Sequence, residues 1–139
     1  MNYWLMKTEP GTWSWNDQVK AADRGEHWDG VRNYQASNNM KAMKLGDRCF
    51  FYHSVKEKRI VGIVEVIKEY YPDHTDPKGR FGMVDVKAVR PFNQPVSLDD
   101  IKAEPRLADL ALLKQSRLSV MPIDDASWKL ICQMGRTEP

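Results

Sequence analysis

The sequence predicts an α+β fold in which a small twisted sheet curls into a barrel with short helices outside it. Three observations carry this. A chain of 139 residues, 42% hydrophobic and 29% charged, has the length and composition of one domain that buries a core. Runs of strand length and character, residues 48–54, 59–71 and 83–89, follow one another through the middle of the chain. Short segments with helix-capping residues flank them, and no linker, repeat or low-complexity stretch intervenes, so residues 1–139 read as a single domain.

The elements follow in order. Residues 3–7 are a short bulky run ended by Pro10-Gly11, a first strand with a turn behind it. Ser14, with Asp17 three residues on, makes a capping box that starts a short helix over 15–23, closed near Gly25. Residues 28–33 are irregular, and a second helix runs from about Tyr34 to Met43 before the Leu45-Gly46-Asp47 turn. Of the three middle strands, the first is dense in aromatics and the second is rich in Val and Ile. The third alternates Val84, Val86 and Ala88 against Asp85 and Lys87, then loses step at Val89 as through a bulge. Residues 72–79 are polar and charged, the composition of a mobile loop. Ser97 and Asp100 repeat the capping pattern, Pro105 suits the first turn of another helix, and residues 117–120 read as a short strand. Asp124 then caps a last helix carrying Trp128, Leu130, Ile131 and Met134.

The totals narrow the function. A formal charge of +2 lacks the basic excess of a surface that grips many phosphates, so contact with a nucleic acid should be local and shallow. No apolar run reaches membrane-spanning length, and no basic leader precedes an apolar stretch at the amino terminus; a cytoplasmic protein is expected, or a nuclear one in a eukaryote. Cys49 and Cys132 sit in apolar surroundings and read as two reduced thiols. The aromatic residues are unevenly placed, with Trp4, Trp13, Trp15 and Trp28 all within the first thirty positions.

Catalytic patterns are weak. There is no Gly-x-Ser-x-Gly elbow, phosphate loop, dinucleotide fingerprint or His-Glu-x-x-His stretch. His53-Ser54 are adjacent, and neighbours on a strand point to opposite faces, which prevents a direct side-chain pair. His27, His53 and His74 are scattered in sequence and lack a cysteine pair, so no metal and no cofactor are expected. The enzymatic alternative is a hydrolase, or another enzyme acting on a nucleotide or small molecule, with His53 as base.

Binding fits better. One unstacked base needs an aromatic wall and a few fixed donors and acceptors for its edge. Trp28, in a glycine-flanked irregular segment, offers the wall; Arg32 and Asn33 beside it offer a planar fork and an amide, and Thr8 and Glu9 lie at the end of the first strand. The plain readings stand beside these. Phe50 and Tyr52 at strand spacing belong to a core, as do Trp4, Trp13 and Trp15; Arg32 ties a loop, and His53 is a hydrogen-bonded interior histidine.

Taken in order, Tyr3-Trp4-Leu5-Met6-Lys7-Thr8-Glu9-Pro10, Trp28-Asp29-Gly30-Val31-Arg32-Asn33-Tyr34, Phe51-Tyr52-His53-Ser54, Val61-Gly62-Ile63-Val64-Glu65-Val66, Tyr71-Pro72-Asp73 and Arg117-Leu118-Ser119-Val120 resemble the EVE domain family over nearly the whole chain. The resemblance implies a PUA-like barrel, related to YTH and ASCH domains, that holds a modified base of DNA or RNA without catalysis. It implies a partner that is nucleic acid, not a membrane, and a monomer or weak dimer. Carried over residue by residue, Lys7, Thr8 and Glu9 look like the pocket edge. Trp28, Val31, Arg32 and Asn33 look like its wall and floor, His53 and Ser54 the strand end facing the ligand, and Arg117 and Ser119 the far side. Thr8 stands where serine is common, Ser37 where arginine is common, and residues 55–59 lack the usual proline-glycine turn.

Overall fold

A computed structural model describes all of residues 1–139 as one six-stranded mixed sheet with short helices around it. Strand β1 (Tyr3–Thr8) lies parallel to β3 (Arg48–His53), which continues antiparallel into β4 (Arg59–Pro72) and then β5 (Gly82–Ser97). The short strands β2 (Glu26–His27) and β6 (Val120–Ile123) close the order β2-β5-β4-β3-β1-β6. The helices are α1 (Trp15–Lys20), α2 (Tyr34–Ala42), α3 (Leu98–Lys102), α4 (Ala111–Lys114) and α5 (Asp125–Met134). No helix is long and apolar enough to cross a membrane.

The parallel β1–β3 pair needs a crossover, which α1, β2 and α2 supply. It sets Thr8 opposite His53, so the carboxyl ends of both strands finish side by side. The capping boxes form as expected: Ser14 with Asp17 starts α1, and Ser97 with Asp100 starts α3. Asp124 caps α5.

Four elements differ from the sequence expectation, each for a physical reason. The helix expected over 15–23 breaks after Lys20, Ala22 takes φ 52°, and a 3-10 turn, Ala22–Arg24, ends at Gly25 with φ 68°. A Cβ on Gly25 would lie 2.5 Å from both Ile67 and the Val86 carbonyl, so the chain passes the sheet too closely for a straight helix. Strand β5 runs eight residues beyond the expected end at residue 89, because its second half still pairs with β4 through register shifts. The strand expected over 117–120 starts at Val120 instead, and Pro122 is accommodated there because β6 is an edge. β2 has only two residues, too few for any periodic signal.

The central strand β3 is buried on both faces. Phe50 points to one side, where its ring stacks on Trp128 of α5 at 3.8 Å and meets Phe92 edge-on; Tyr3 stacks on the same indole at 4.3 Å. Phe51 points to the other side, against the edges of Trp15 at 5.3 Å and Trp28 at 5.5 Å. Gly62 opposite Phe51 makes room for Trp15, since a Cβ there would lie 2.5 Å from the indole.

Candidate functional site

The second aromatic face underlies a cleft of about 390 Å³ at the carboxyl end of β1. Lys7 and Thr8 form one side, Thr12 and Trp13 another, the stretch 26–32 a third, and Ser119 closes it. Each wall is fixed by hydrogen bonds. Behind β1 the chain doubles back, with the amides of Thr12 and Trp13 donating to the Glu9 carbonyl and the Thr8 hydroxyl donating to the Trp13 carbonyl at 3.0 Å. The Trp13 indole donates to Gln18 Oε1 at 2.9 Å, and the fully buried Gln18 amide donates to the Val86 carbonyl. Trp13 therefore leans on the sheet through a single buried side chain.

Trp28 is held from both ends. Its amide donates to the Val84 carbonyl at 2.7 Å, and only 7% of the residue stays exposed beside the cleft. The next turn hangs on Asp73. Gly30, at φ 78°, donates its amide to Asp73 Oδ2 at 2.8 Å, and Arg32 Nη1 donates to the same oxygen at 3.1 Å. Thr75 donates both its amide and its hydroxyl to Oδ1. Burial pushes the Asp73 carboxyl up, but the donors of Thr75, Gly30 and Arg32 outweigh it and hold the group down at about 2. The stretch 72–79, expected to be a mobile loop, is thus braced: Asp73 ties it to the cleft wall, and Asp76 accepts from the amides of Lys78, Arg80 and Phe81.

Charge in the cleft is balanced. Lys7 and Arg32 are offset by Glu26 and Asp29. The Lys7 ammonium donates to the Ser116 carbonyl at 3.0 Å, and burial lowers its pKa. Such a lining suits an uncharged ring better than a phosphate.

The expected site residues divide accordingly. Lys7, Thr8, Trp28, Val31, Arg32 and Ser119 line the cleft; Glu9, Asn33, His53, Ser54 and Arg117 do not. The side chain of Asn33 accepts from the Ala36 amide and caps α2, and with Arg117 it borders a separate shallow depression. Glu9 serves through its carbonyl, and the Ser54 amide donates to the Thr8 carbonyl. His53 is 7% exposed and both ring nitrogens are engaged: Nε2 accepts from the Trp15 amide at 3.0 Å, which leaves Nδ1 to donate to Glu57 at 3.0 Å. The ring is a strut between α1 and the turn after β3. Ser37 faces inward, bonded to the Tyr70 hydroxyl at 2.9 Å, so this position holds no surface contact. Trp13 was read as packing alone; it packs through Gln18 and also lines the cleft, and no spacing rule marks it because it lies in a turn.

A mixed sheet with short helices around it and a cleft at the end of its parallel pair is an α+β domain. The chain belongs to the EVE domain family, whose model matches residues 2–134. Thymocyte nuclear protein 1 of Rattus norvegicus is 37% identical over an alignment of 170 positions, covering 99% of this chain and 75% of that protein. Among solved structures, a Rhodopseudomonas palustris protein determined by NMR superposes with a TM-score of 0.93 at 55% identity, over 98% of this chain and 94% of that one. Human THYN1 in complex with DNA containing 5-methylcytosine superposes at 0.91 with 33% identity over the whole of both chains. A YTH domain of Zygosaccharomyces rouxii, in complex with N6-methyladenosine RNA, shares the fold alone: 16% identity, TM-score 0.58, over 99% of this chain and 86% of that one.

Proposed function

We propose that this domain is a non-catalytic reader that takes one flipped-out, modified nucleobase into the cleft beside Trp13 and Trp28. The observation that carries the reading is the cleft itself, which is open, walled by two indoles and balanced in charge. The likeness to human THYN1 in complex with 5-methylcytosine DNA supports it over the whole chain. Swinging a base out of its stack costs a few kcal/mol, least in a single strand, and stacking on one aromatic side chain returns about 1–3 kcal/mol. Recognition is therefore expected to be modest in strength and to favour bases that are already unpaired. An added methyl is discriminated by about 1–3 kcal/mol through apolar contact.

Trp28 is not a clean probe of the cleft. Trp28 is a core residue as well as a wall, so its replacement by alanine would open a cavity against Phe51. Trp13 is half-buried and is the cleaner probe. Short single-stranded oligonucleotides with and without 5-methylcytosine or N6-methyladenine, titrated in EDTA while tryptophan fluorescence is followed, should bind with the modified base preferred. Trp13→Ala should weaken that binding at least tenfold while the folded CD spectrum is kept. Flat titrations with every oligonucleotide would remove the reading. The hydrolase alternative finds no free base at His53, whose ring nitrogens both have partners within the chain.

A further inference from the structure

The fold reverses the spacing of two histidines. His27 and His74 lie 47 positions apart in sequence, yet their rings meet edge to face with centroids 4.9 Å apart. Asp29 joins them, and one ligand atom from each of the three lies within 4.8 Å of the other two. We propose that His27, Asp29 and His74 form a binding site for a divalent transition-metal cation, Zn²⁺ foremost, at the mouth of the cleft.

Three independent features support the assignment. The donor set is right: two imidazoles and one carboxylate are the ligands that zinc, nickel and copper ions take, whereas magnesium and calcium ask for oxygen alone. His27 has the support that a metal-bound histidine needs. Its Nδ1 lies 3.2 Å from Glu26 Oε1, within ion-pair distance, so a carboxylate stands where a metal-bound imidazole needs an acceptor for its second nitrogen. His74 is delivered by a braced element. Its neighbour Asp73 is bonded to Gly30 and Arg32, which locks the 72–79 turn against the 26–32 stretch and sets the two rings together.

The closure required is small. A tetrahedral ion with bonds of about 2.0–2.2 Å holds its donors about 3.4 Å apart, so a spacing within 4.8 Å has to tighten by at most about 1.4 Å. Asp29 and His74 are exposed and His27 is half-buried, so rotation of the two exposed side chains achieves this without backbone movement. Three protein donors leave a coordination position for water or for an oxygen of a bound molecule, as in open zinc sites. His27 and Asp29 also line the cleft, so an ion held there would add positive charge at its entrance, where the lining itself is balanced.

Tag-free protein stripped with EDTA and titrated with Zn²⁺ and Ni²⁺ by calorimetry, with no nucleic acid present, tests the site separately from base recognition. One ion per chain is expected, with micromolar or tighter affinity. Ni²⁺ or Cu²⁺ should also quench tryptophan fluorescence, because Trp28 lies between two of the ligands. His74→Ala, on an exposed turn, should weaken binding at least tenfold, and X-ray absorption of the zinc form should show only nitrogen and oxygen neighbours. Absence of binding, or binding unchanged in both His74→Ala and His27→Ala, would overturn the proposal. So would sulfur in the absorption spectrum, since that would place the ion at Cys49 or Cys132.

Discussion

Asp73→Ala is expected to lower the unfolding free energy by about 2–3 kcal/mol and to weaken base binding at least tenfold. The carboxylate side chain is fully buried and accepts from Gly30, Arg32 and Thr75. Its pKa falls from 3.8 to about 2, a difference worth about 2 kcal/mol at 1.36 kcal/mol per unit. Removing one partner of a buried ion pair costs about 3–5 kcal/mol, but the Arg32 side chain is 37% exposed and regains water, so the smaller figure governs. The pH dependence follows from the depressed value. The contribution is complete above the unfolded pKa near 4 and fades as pH falls toward 2. Urea melts of wild type and variant should therefore differ at pH 7 and converge near pH 2. A constant gap between them would show that Asp73 acts through packing and not through charge. The loss of affinity comes from the same cause: without the carboxylate, Gly30 and Arg32 lose their anchor and the stretch beside Trp28 is released.

Trp128→Ala should cost more, about 3–5 kcal/mol, the usual loss for deleting a buried indole. The residue is fully buried and stacks on Phe50 and Tyr3, so it joins α5 to two strands at once. A drop in Tm of about 10 °C or more is expected by circular dichroism. Trp128→Phe should be far milder. The Trp128 indole N–H is buried without a hydrogen-bond partner, and removing an unmatched donor offsets part of the lost packing. Both variants lie across the sheet from the cleft, so the folded fraction should bind oligonucleotides as the wild type does.

How much of this was legible in the sequence depends on whether the signal is local. Capping boxes at Ser14 and Ser97 and the cap at Asp124 are patterns four residues long, and all formed. The apolar core of β3 and β4 was plain from composition. The second half of β5 was hidden because Pro91, Asn93, Gln94 and Pro95 are exposed and only Phe92 and Val96 turn inward, too sparse a pattern to read as a strand. For the cleft, the ordered blocks located the right segments, and Lys7, Thr8, Trp28, Val31, Arg32 and Ser119 all face it. Roles within the segments were not legible. Asn33 looked like a ligand contact and is a helix cap; His53 looked like a base and is a strut; Asp73 was one letter in a block and anchors a wall. Each distinction turns on a partner more than thirty residues away, or on where a helix begins, and spacing along the chain carries neither.

The parallel pairing of β1 with β3 also bears on how the chain reaches this state. β3, β4 and β5 form a meander whose contacts are close in sequence, while β1 must wait for a crossover of about forty residues to bring it back. β6 docks on β1 from the far end of the chain, and β2 attaches to β5 across more than fifty residues. Every wall of the cleft belongs to these long-range arrivals, so the molecule should assemble its scaffold before its recognition surface. Pulse-labelled hydrogen exchange during refolding would register this as protection of Val64 and Val86 ahead of Lys7 and Trp28; simultaneous protection would mean that nucleation spans the whole sheet.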